Sequence, residues 1–214
     1  MEFLCKAILF DLDGVLVDST QAVERVWRKW AIEKGLDPSY VVDQAHGRRS
    51  IETVRAVAPD LDADQENLTI EALEIDDREG VTSIPGAAAL LAQIPPEHIA
   101  IVTSATRALA VARLQYAALP IPKHLISSDD VVEGKPSPEP YLKGAALLHF
   151  AAKDCLVFED TPAGIQAGKG AGAKAIALTT TYARKELQMA DEILPSLSAV
   201  RLSFLGGELL IQTG

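Results

Sequence analysis

Two aspartates, Asp11 and Asp13, close the apolar run Ala7-Ile8-Leu9-Phe10, and Gly14 follows them at once. Alternate residues of an extended chain share a face, so these two carboxylates are close enough to hold one cation or one substrate group. A second acidic pair, Glu159-Asp160, closes the run Cys155-Leu156-Val157-Phe158. Thr103 and Ser104 end a third run, Ile99-Ala100-Ile101-Val102, and Lys135 sits in Gly134-Lys135-Pro136, a rigid turn ahead of a helix. Metal-ligating acids, a fixed cation, hydroxyl donors and a carboxylate able to act as nucleophile are the set that phosphoryl transfer needs. Hard oxygen ligands with no Cys or His beside them point to Mg²⁺ rather than zinc.

Elements must bring these residues together. A short apolar run that breaks into Asp and Gly is the pattern of a buried parallel strand, and ligands bind at the C-terminal edge of such a sheet. After the first strand, Val23, Val26, Trp27, Trp30 and Ala31 recur at helical spacing between Ser19 and Lys34, a stripe expected to be packing. Ile51, Val54, Val57 and Ala58 mark a short helix stopped by Pro59, and Asp62 with Gln65 caps a third helix. The acids of that third stretch, Glu66, Glu71, Glu74, Asp76, Asp77 and Glu79, are expected to form a solvated face. No strand is expected between residues 16 and 84.

From Ile84 onward strands alternate with helices. A helix over Ala87 to Gln93 precedes strand 99–103, and a helix from Arg107 to Ala118 precedes a strand at His124 to Ile126. Ser137 is expected to cap a helix that has Pro138 in its first turn, and Thr161-Pro162 repeats that signal after strand 155–158. Strand 173–178, a weak strand at 192–194 and a terminal hairpin around Gly206-Gly207 complete the chain. The pattern predicts an α/β fold with a Rossmann-like, three-layer parallel-sheet core. Residues 1–15 and 85–214 form that core, and residues 16–84 form a small all-helical cap inserted after the first strand.

The chain has 214 residues, 48% of them hydrophobic, and 30 acids against 20 bases give a net charge of −10. That balance argues against nucleic acid or an anionic membrane as a partner, since both need a basic face. It leaves room for a small phosphorylated metabolite, bound by a local cluster of bases. Two cysteines in apolar runs are no disulfide framework and fit a reducing cytoplasm, and with neither a signal pattern nor an apolar run of membrane length a cytoplasmic location is expected; a monomer is expected without a feature of the sequence that fixes it.

Asp-Leu-Asp-Gly-Val-Leu-Val-Asp-Ser, Val-Thr-Ser, Gly-Lys-Pro-Ser-Pro-Glu-Pro-Tyr and Phe-Glu-Asp-Thr-Pro-Ala-Gly resemble, in order, the four signatures of the haloacid-dehalogenase-like hydrolases. The likeness spans residues 7–178, and the helical insert is similar to the small cap shared by β-phosphoglucomutase and many sugar phosphatases. The resemblance implies that Asp11 is the nucleophile, becoming an aspartyl-phosphate. It makes Asp13 the acid that protonates the leaving oxygen and then the base that activates water. Thr103 and Lys135 would hold the phosphoryl oxygens, with backbone amides near Leu12 and Ser104. Mg²⁺ would take the Asp11 and Asp160 carboxylates and the Asp13 carbonyl, with Glu159 nearby or acting through water. Retention of Asp13 belongs to the phosphatase branch rather than to the dehalogenases.

The insertion is expected to choose the substrate. Its loop His46-Gly47-Arg48-Arg49-Ser50 is similar to the same loop in glycerol-phosphate and deoxyglucose-phosphate phosphatases, as is Glu24-Arg25-Val26-Trp27. At least one of His46, Arg48 and Arg49 is expected to face the pocket, where an arginine fork suits hydroxyls or phosphate. The function this implies is a Mg²⁺-dependent phosphatase of small sugar or polyol monophosphates. A hexose-phosphate mutase is the alternative, but Val23 and Ser50 stand where the resembling mutases carry a cap histidine and a phosphate-gripping arginine. A catalytically silent binding module on the same fold is a further alternative, and a complete site counts against it. Gly168-x-Gly170-x-Gly172 ends a helix instead of opening one, which removes a dinucleotide loop. His98, His124 and His149 have no ligand spacing.

Overall fold

A computed structural model describes residues 1–214. Five apolar segments and one weaker one assemble into a parallel sheet. They are β2 (Ala7–Phe10), β5 (Ile99–Val102), β6 (Leu125–Ile126), β7 (Cys155–Glu159), β8 (Lys174–Leu178) and β9 (Glu192–Leu194), in the order β6-β5-β2-β7-β8-β9. β2 lies in the interior of the sheet, with β5 and β7 as its neighbours, so the three runs that end in polar residues are adjacent and finish along one edge. Every residue of β2, β5 and β7 is buried, which is why these strands are continuous apolar runs without polar alternation.

The pleat sends successive side chains to opposite faces. Ile8, Phe10, Ile101, Leu156 and Phe158 enter a 31-residue cluster under α5 (Ala87–Leu91) and α6 (Arg107–Tyr116), with Phe10 stacked on Phe158 at 5.1 Å. Ala7, Leu9, Ala100, Val102 and Val157 enter an 18-residue cluster under α7 (Glu139–Leu147) and α8 (Pro162–Gly170). Helices on both faces of a parallel sheet make the expected three-layer α/β fold. Thr161 caps α8 by accepting from the Gly164 N–H at 3.0 Å, with Pro162 at the first helical position. At α7 the expectation shifts by one residue. Pro138 itself occupies the cap position, and Ser137 Oγ accepts from the Glu139 N–H at 3.3 Å just outside it. The terminal hairpin forms as β10 (Val200–Leu205) and β11 (Glu208–Thr213), and β1 (Glu2–Cys5) adds to it as a third antiparallel strand.

Between β2 and α5 the chain runs through four helices: α1 (Thr20–Glu33), α2 (Pro38–Ala45), α3 (Ser50–Val57) and α4 (Ala63–Asp76). They share their own 10-residue cluster, in which Trp27 and Trp30 meet edge to face at 5.6 Å. α2 was not anticipated, although its signal is present: Asp37 accepts from the Ser39 and Tyr40 N–H groups and Pro38 opens the helix. Two corrections follow for this segment. It does contain strand: β3 (Val17–Asp18) pairs antiparallel with β4 (Thr82–Ser83), tying together the two ends of the helical segment. Two residues are too short to carry a periodic signal, and only their pairing across more than sixty residues makes them strands. The acids of α4 are also not a simple solvated face. Glu66 accepts from Trp30 Nε1 at 2.7 Å, Glu71 from the Thr106 hydroxyl at 2.5 Å, and Glu74 is buried against Arg113. No helix is long and apolar enough to cross a membrane.

Candidate active site

The strand ends place the chemistry. Asp11 leaves β2 buried, with its N–H donating to the Phe158 carbonyl of β7 at 2.9 Å. Lys135 reaches up from the turn before α7 and uses all three of its protons. It donates to Asp11 Oδ1 at 2.7 Å, Glu159 Oε1 at 2.6 Å and the Val102 carbonyl at 3.1 Å. Glu159 is saturated. Its Oε1 also accepts from the Tyr141 hydroxyl at 2.8 Å, and its Oε2 accepts from the Asp160 and Thr161 N–H groups and the Thr161 hydroxyl. Gly164 lets α8 close over this carboxylate, since a Cβ there would fall 1.8 Å from Glu159 Oε1. Glu159 therefore anchors Lys135 and the start of α8, and it offers no free oxygen.

Asp160 is the opposite case. It is 1% exposed, and its Oδ1 has no hydrogen-bond donor. Asp11, Glu159 and Asp160 each bring a carboxylate oxygen within 4.8 Å of the others. Gly14, at φ 77°, leaves the space that the Asp160 carboxylate fills, because a Cβ would lie 1.9 Å from Oδ2. Three buried carboxylates thus face one ammonium, and Asp11 and Asp160 hold protons more tightly than ordinary carboxylates do. Burial pushes Asp11 up to about 7, with Lys135 opposing and Glu159 adding to the rise. Burial, then Glu159 and Asp11, raise Asp160 well above the usual carboxylate range. Burial works against the Lys135 charge, but Asp11 and Glu159 outweigh it and its pKa is raised. A divalent cation between Asp11 and Asp160 would supply the missing charge and satisfy the orphaned oxygen, so the residues present fit a divalent metal.

Above this cluster opens a pocket walled on one side by the sheet edge and on the other by the helical segment. Asp11, Asp13, Thr103, Ser104 and Asp160 line the first wall, and Val23, Trp27, His46, Arg48, Ser50 and Glu74 line the second. Asp13 is held at both oxygens, Oδ1 by the Ser19 hydroxyl at 2.6 Å and Oδ2 by Arg113 Nη1 at 2.7 Å. Thr103 is buried and accepts from the Ala105 N–H at 3.1 Å, and Ser104 donates to the Gly47 carbonyl across the pocket mouth at 3.2 Å. Leu12 buries its side chain in the core between the two aspartates, so only its backbone can face a bound group. His46 is partly enclosed, and burial lowers its pKa below the ordinary imidazole value.

The loop arginines part company. Arg48 is exposed at the pocket, with one 3.5 Å contact to Gln44. Arg49, expected beside it, turns away. Its guanidinium pairs with Glu52, donates to the Val132 carbonyl at 3.1 Å and lies across Gly134. Arg49 is the extended residue just before α3 (φ −68°, ψ 136°), and its neighbours Arg48 and Ser50 line the pocket while its own side chain goes the other way. Sequence reasoning missed Arg113, Glu74 and Tyr141. Tyr141 lies inside the Ser-Pro-Glu-Pro-Tyr stretch, whereas Arg113 and Glu74 carry no local signal, because each is an ordinary charged residue within a helical pattern. His98 is structural, with Nδ1 at 2.6 Å from the Lys6 carbonyl and its ring stacked on Phe150.

The chain is similar to known phosphatases and hydrolases. The chain is 40% identical over 214 residues to hexitol phosphatase A of Escherichia coli strain K12, covering 97% of this chain and 99% of that one. It is 38% identical to glycerol-1-phosphate phosphohydrolase 2 of Saccharomyces cerevisiae, covering 82% and 75%. Among solved structures, a hydrolase from Pseudomonas syringae superposes with a TM-score of 0.82 at 22% identity, covering 91% of this chain and 94% of that one, which shows the fold. The model of the haloacid dehalogenase-like hydrolases matches residues 5–172. With that match laid over two acidic strand ends and a buried lysine, the chain belongs to the haloacid dehalogenase-like hydrolase family.

Proposed function

We propose that this chain is a Mg²⁺-dependent phosphatase that hydrolyses small sugar or polyol monophosphates through an aspartyl-phosphate on Asp11. The observation that carries the reading is Asp11 clamped by Lys135 at 2.7 Å beside Asp160, whose Oδ1 is buried without a donor. The hexitol and glycerol phosphatases among its relatives set the substrate class. Residues 16–84 act as a cap on a core made of 1–15 and 85–214, and the leaving group lies between them.

The chain's own residues divide the work. Thr103, Ser104 and the backbone at Leu12 hold the phosphoryl oxygens, and Lys135 offsets their charge while aiming Asp11. The Asp11 and Asp160 carboxylates and the Asp13 carbonyl would hold Mg²⁺, which supplies the positive charge that lets a carboxylate approach a dianion. Glu159 supports this set from behind through Lys135. An Asp11 oxygen bonds to phosphorus as the ester P–O bond breaks, and Asp13 passes its proton to the leaving alcohol. Water then attacks phosphorus and gives a proton to Asp13, the bond to Asp11 breaks, and inorganic phosphate leaves with the site restored.

Three features favour hydrolysis over mutase chemistry. Val23 and Ser50 both line the pocket and offer neither an imidazole nor a charge. Arg49 is committed to Glu52 and the Val132 carbonyl, so it is not free to grip a second phosphate. Separately, the chain is read as a cytoplasmic monomer, and the buried free thiols Cys5 and Cys155 support the reducing compartment alone.

Phosphate release from a panel of hexitol, hexose and glycerol monophosphates tests the reading. Release is expected with Mg²⁺ and is lost in EDTA, and ³¹P NMR on β-glucose 1-phosphate should show inorganic phosphate without glucose 6-phosphate. A panel with no release in Mg²⁺ would sink it.

A further inference from the structure

Arg113 lies on α6, far along the chain from Asp13, and is only 6% exposed. Its guanidinium forks, with Nη1 on Asp13 Oδ2 at 2.7 Å and Nη2 on Glu74 Oε1 at 3.2 Å. Glu74 belongs to α4, in the helical segment, and is itself buried. On either side of it α4 is seated along α6. Glu71 accepts from the Thr106 hydroxyl at 2.5 Å, and the Ile75 carbonyl accepts from the Tyr116 hydroxyl at 2.7 Å. Of these three contacts only the middle one reaches the pocket.

The fork has a physical logic that one ion pair would lack. Each Asp13 oxygen takes one donor, and a carboxyl that shifts toward a leaving group stretches or breaks its bond to Arg113. A buried guanidinium with one partner would then be left unpaired, which is strongly unfavourable, and Asp13 would be locked in place. Glu74 removes that obstacle, because Arg113 stays paired whichever way Asp13 points. Its guanidinium plane is also set by two anchors instead of one.

We propose that Arg113 and Glu74 are positioning residues for Asp13: Arg113 aims its carboxyl, and Glu74 holds Arg113 in line while Asp13 turns to the leaving oxygen. The role rests on the assignment of Asp13 as proton carrier in the proposed function. Because Glu74 rides on α4, the aim of Asp13 depends on how that helix is seated on α6.

The test compares two substrates that differ in their need for a proton. Sorbitol 6-phosphate leaves as an alkoxide that must be protonated, whereas 4-nitrophenyl phosphate leaves as a stable phenolate. Arg113→Lys keeps the charge but loses the fork. Glu74→Gln keeps the size but loses the charge. The double variant Arg113→Met with Glu74→Leu replaces the pair by apolar groups, an exchange that buried pairs often tolerate. In single-turnover mixing with Mg²⁺, each variant should cleave sorbitol 6-phosphate about tenfold or more slowly, while first-turnover release of nitrophenolate stays within about twofold of wild type. Equal loss on both substrates would reduce the pair to a structural role, and an unchanged sorbitol 6-phosphate rate would remove the role altogether. A wild-type chain that cleaves neither substrate fails earlier, at the proposed function, and takes the positioning role with it.

Discussion

The two walls of the pocket are built differently. On the sheet side Asp11, Thr103, Lys135, Glu159 and Asp160 are each at most 5% exposed, and Lys135 and Glu159 use every donor and acceptor they have. On the helical side His46 and Ser50 are half-buried and Arg48 is exposed with one long contact. In the proposed reaction the sheet side meets the phosphoryl group, which is the same in every phosphate ester, so that wall can be preorganised and sealed. Leaving groups vary, so a wall that must meet them gains by keeping side chains uncommitted. Trp27 is buried on the helical side as well, and Arg113 and Glu74 form a sealed pair on the seam between the two sides.

The largest effect should come from the sealed wall. Asp11→Asn is expected to lower turnover by about 10³-fold or more, because an amide cannot attack phosphorus. The same change should stabilise the metal-free protein. Asp11 titrates near 7 when folded against a usual value of 3.8. Between those pH values the folded chain binds a proton that the unfolded chain does not, so this group makes stability fall as pH rises through the window. At pH 8 in EDTA, Asn should therefore add about 1–3 kcal/mol, read as a Tm higher by roughly 3–9 °C, with little difference near pH 4. A lower Tm for the variant at pH 8 would show that Lys135 outweighs the carboxylate repulsion.

Smaller effects should come from the open wall and should separate the two arginines. Arg48→Ala should reorder kcat/KM among sugar and polyol phosphates by about 1–2 kcal/mol, while 4-nitrophenyl phosphate turnover is nearly unchanged. Arg49→Ala should leave that ranking alone and cost about 1–2 kcal/mol of stability, because it removes a charge-assisted bond to the Val132 carbonyl and the Glu52 pair. If Arg49→Ala reorders substrates and Arg48→Ala does not, the contrast drawn between them is inverted.

The smallest effect lies on the surface behind Lys135. Glu139 accepts from the Val132 and Glu133 N–H groups and pairs with Lys143, and the Lys143 hydrogen bond, with those two N–H groups, holds its pKa at about 2. A lowered carboxylate stabilises above its unfolded value and loses that contribution as pH falls toward 2. Glu139→Gln should lower Tm slightly at pH 7, lose the difference near pH 2, and leave turnover intact in a steady-state assay.

Much of this site is legible in the chain alone, for a local reason. Asp11, Asp13, Glu159, Asp160 and Lys135 stand directly after apolar runs or in a Pro-bounded turn, and a buried strand must deliver whatever follows it to the sheet edge. Thr161-Pro162 marks its helix start equally well, since a cap acts within four residues. What tertiary structure alone decided spans longer distances. Val17–Asp18 becomes strand only because Thr82–Ser83 lies beside it. Glu74, which belongs to an acidic helix face by its sequence, is buried because α6 presents Arg113 to it. Arg48 and Arg49 are neighbours of the same type, and the turn into α3 sends one to the pocket and the other to Val132. Periodicity governs which face of an element a residue occupies, but the partner waiting at that face comes from elsewhere in the chain, and only packing brings it there.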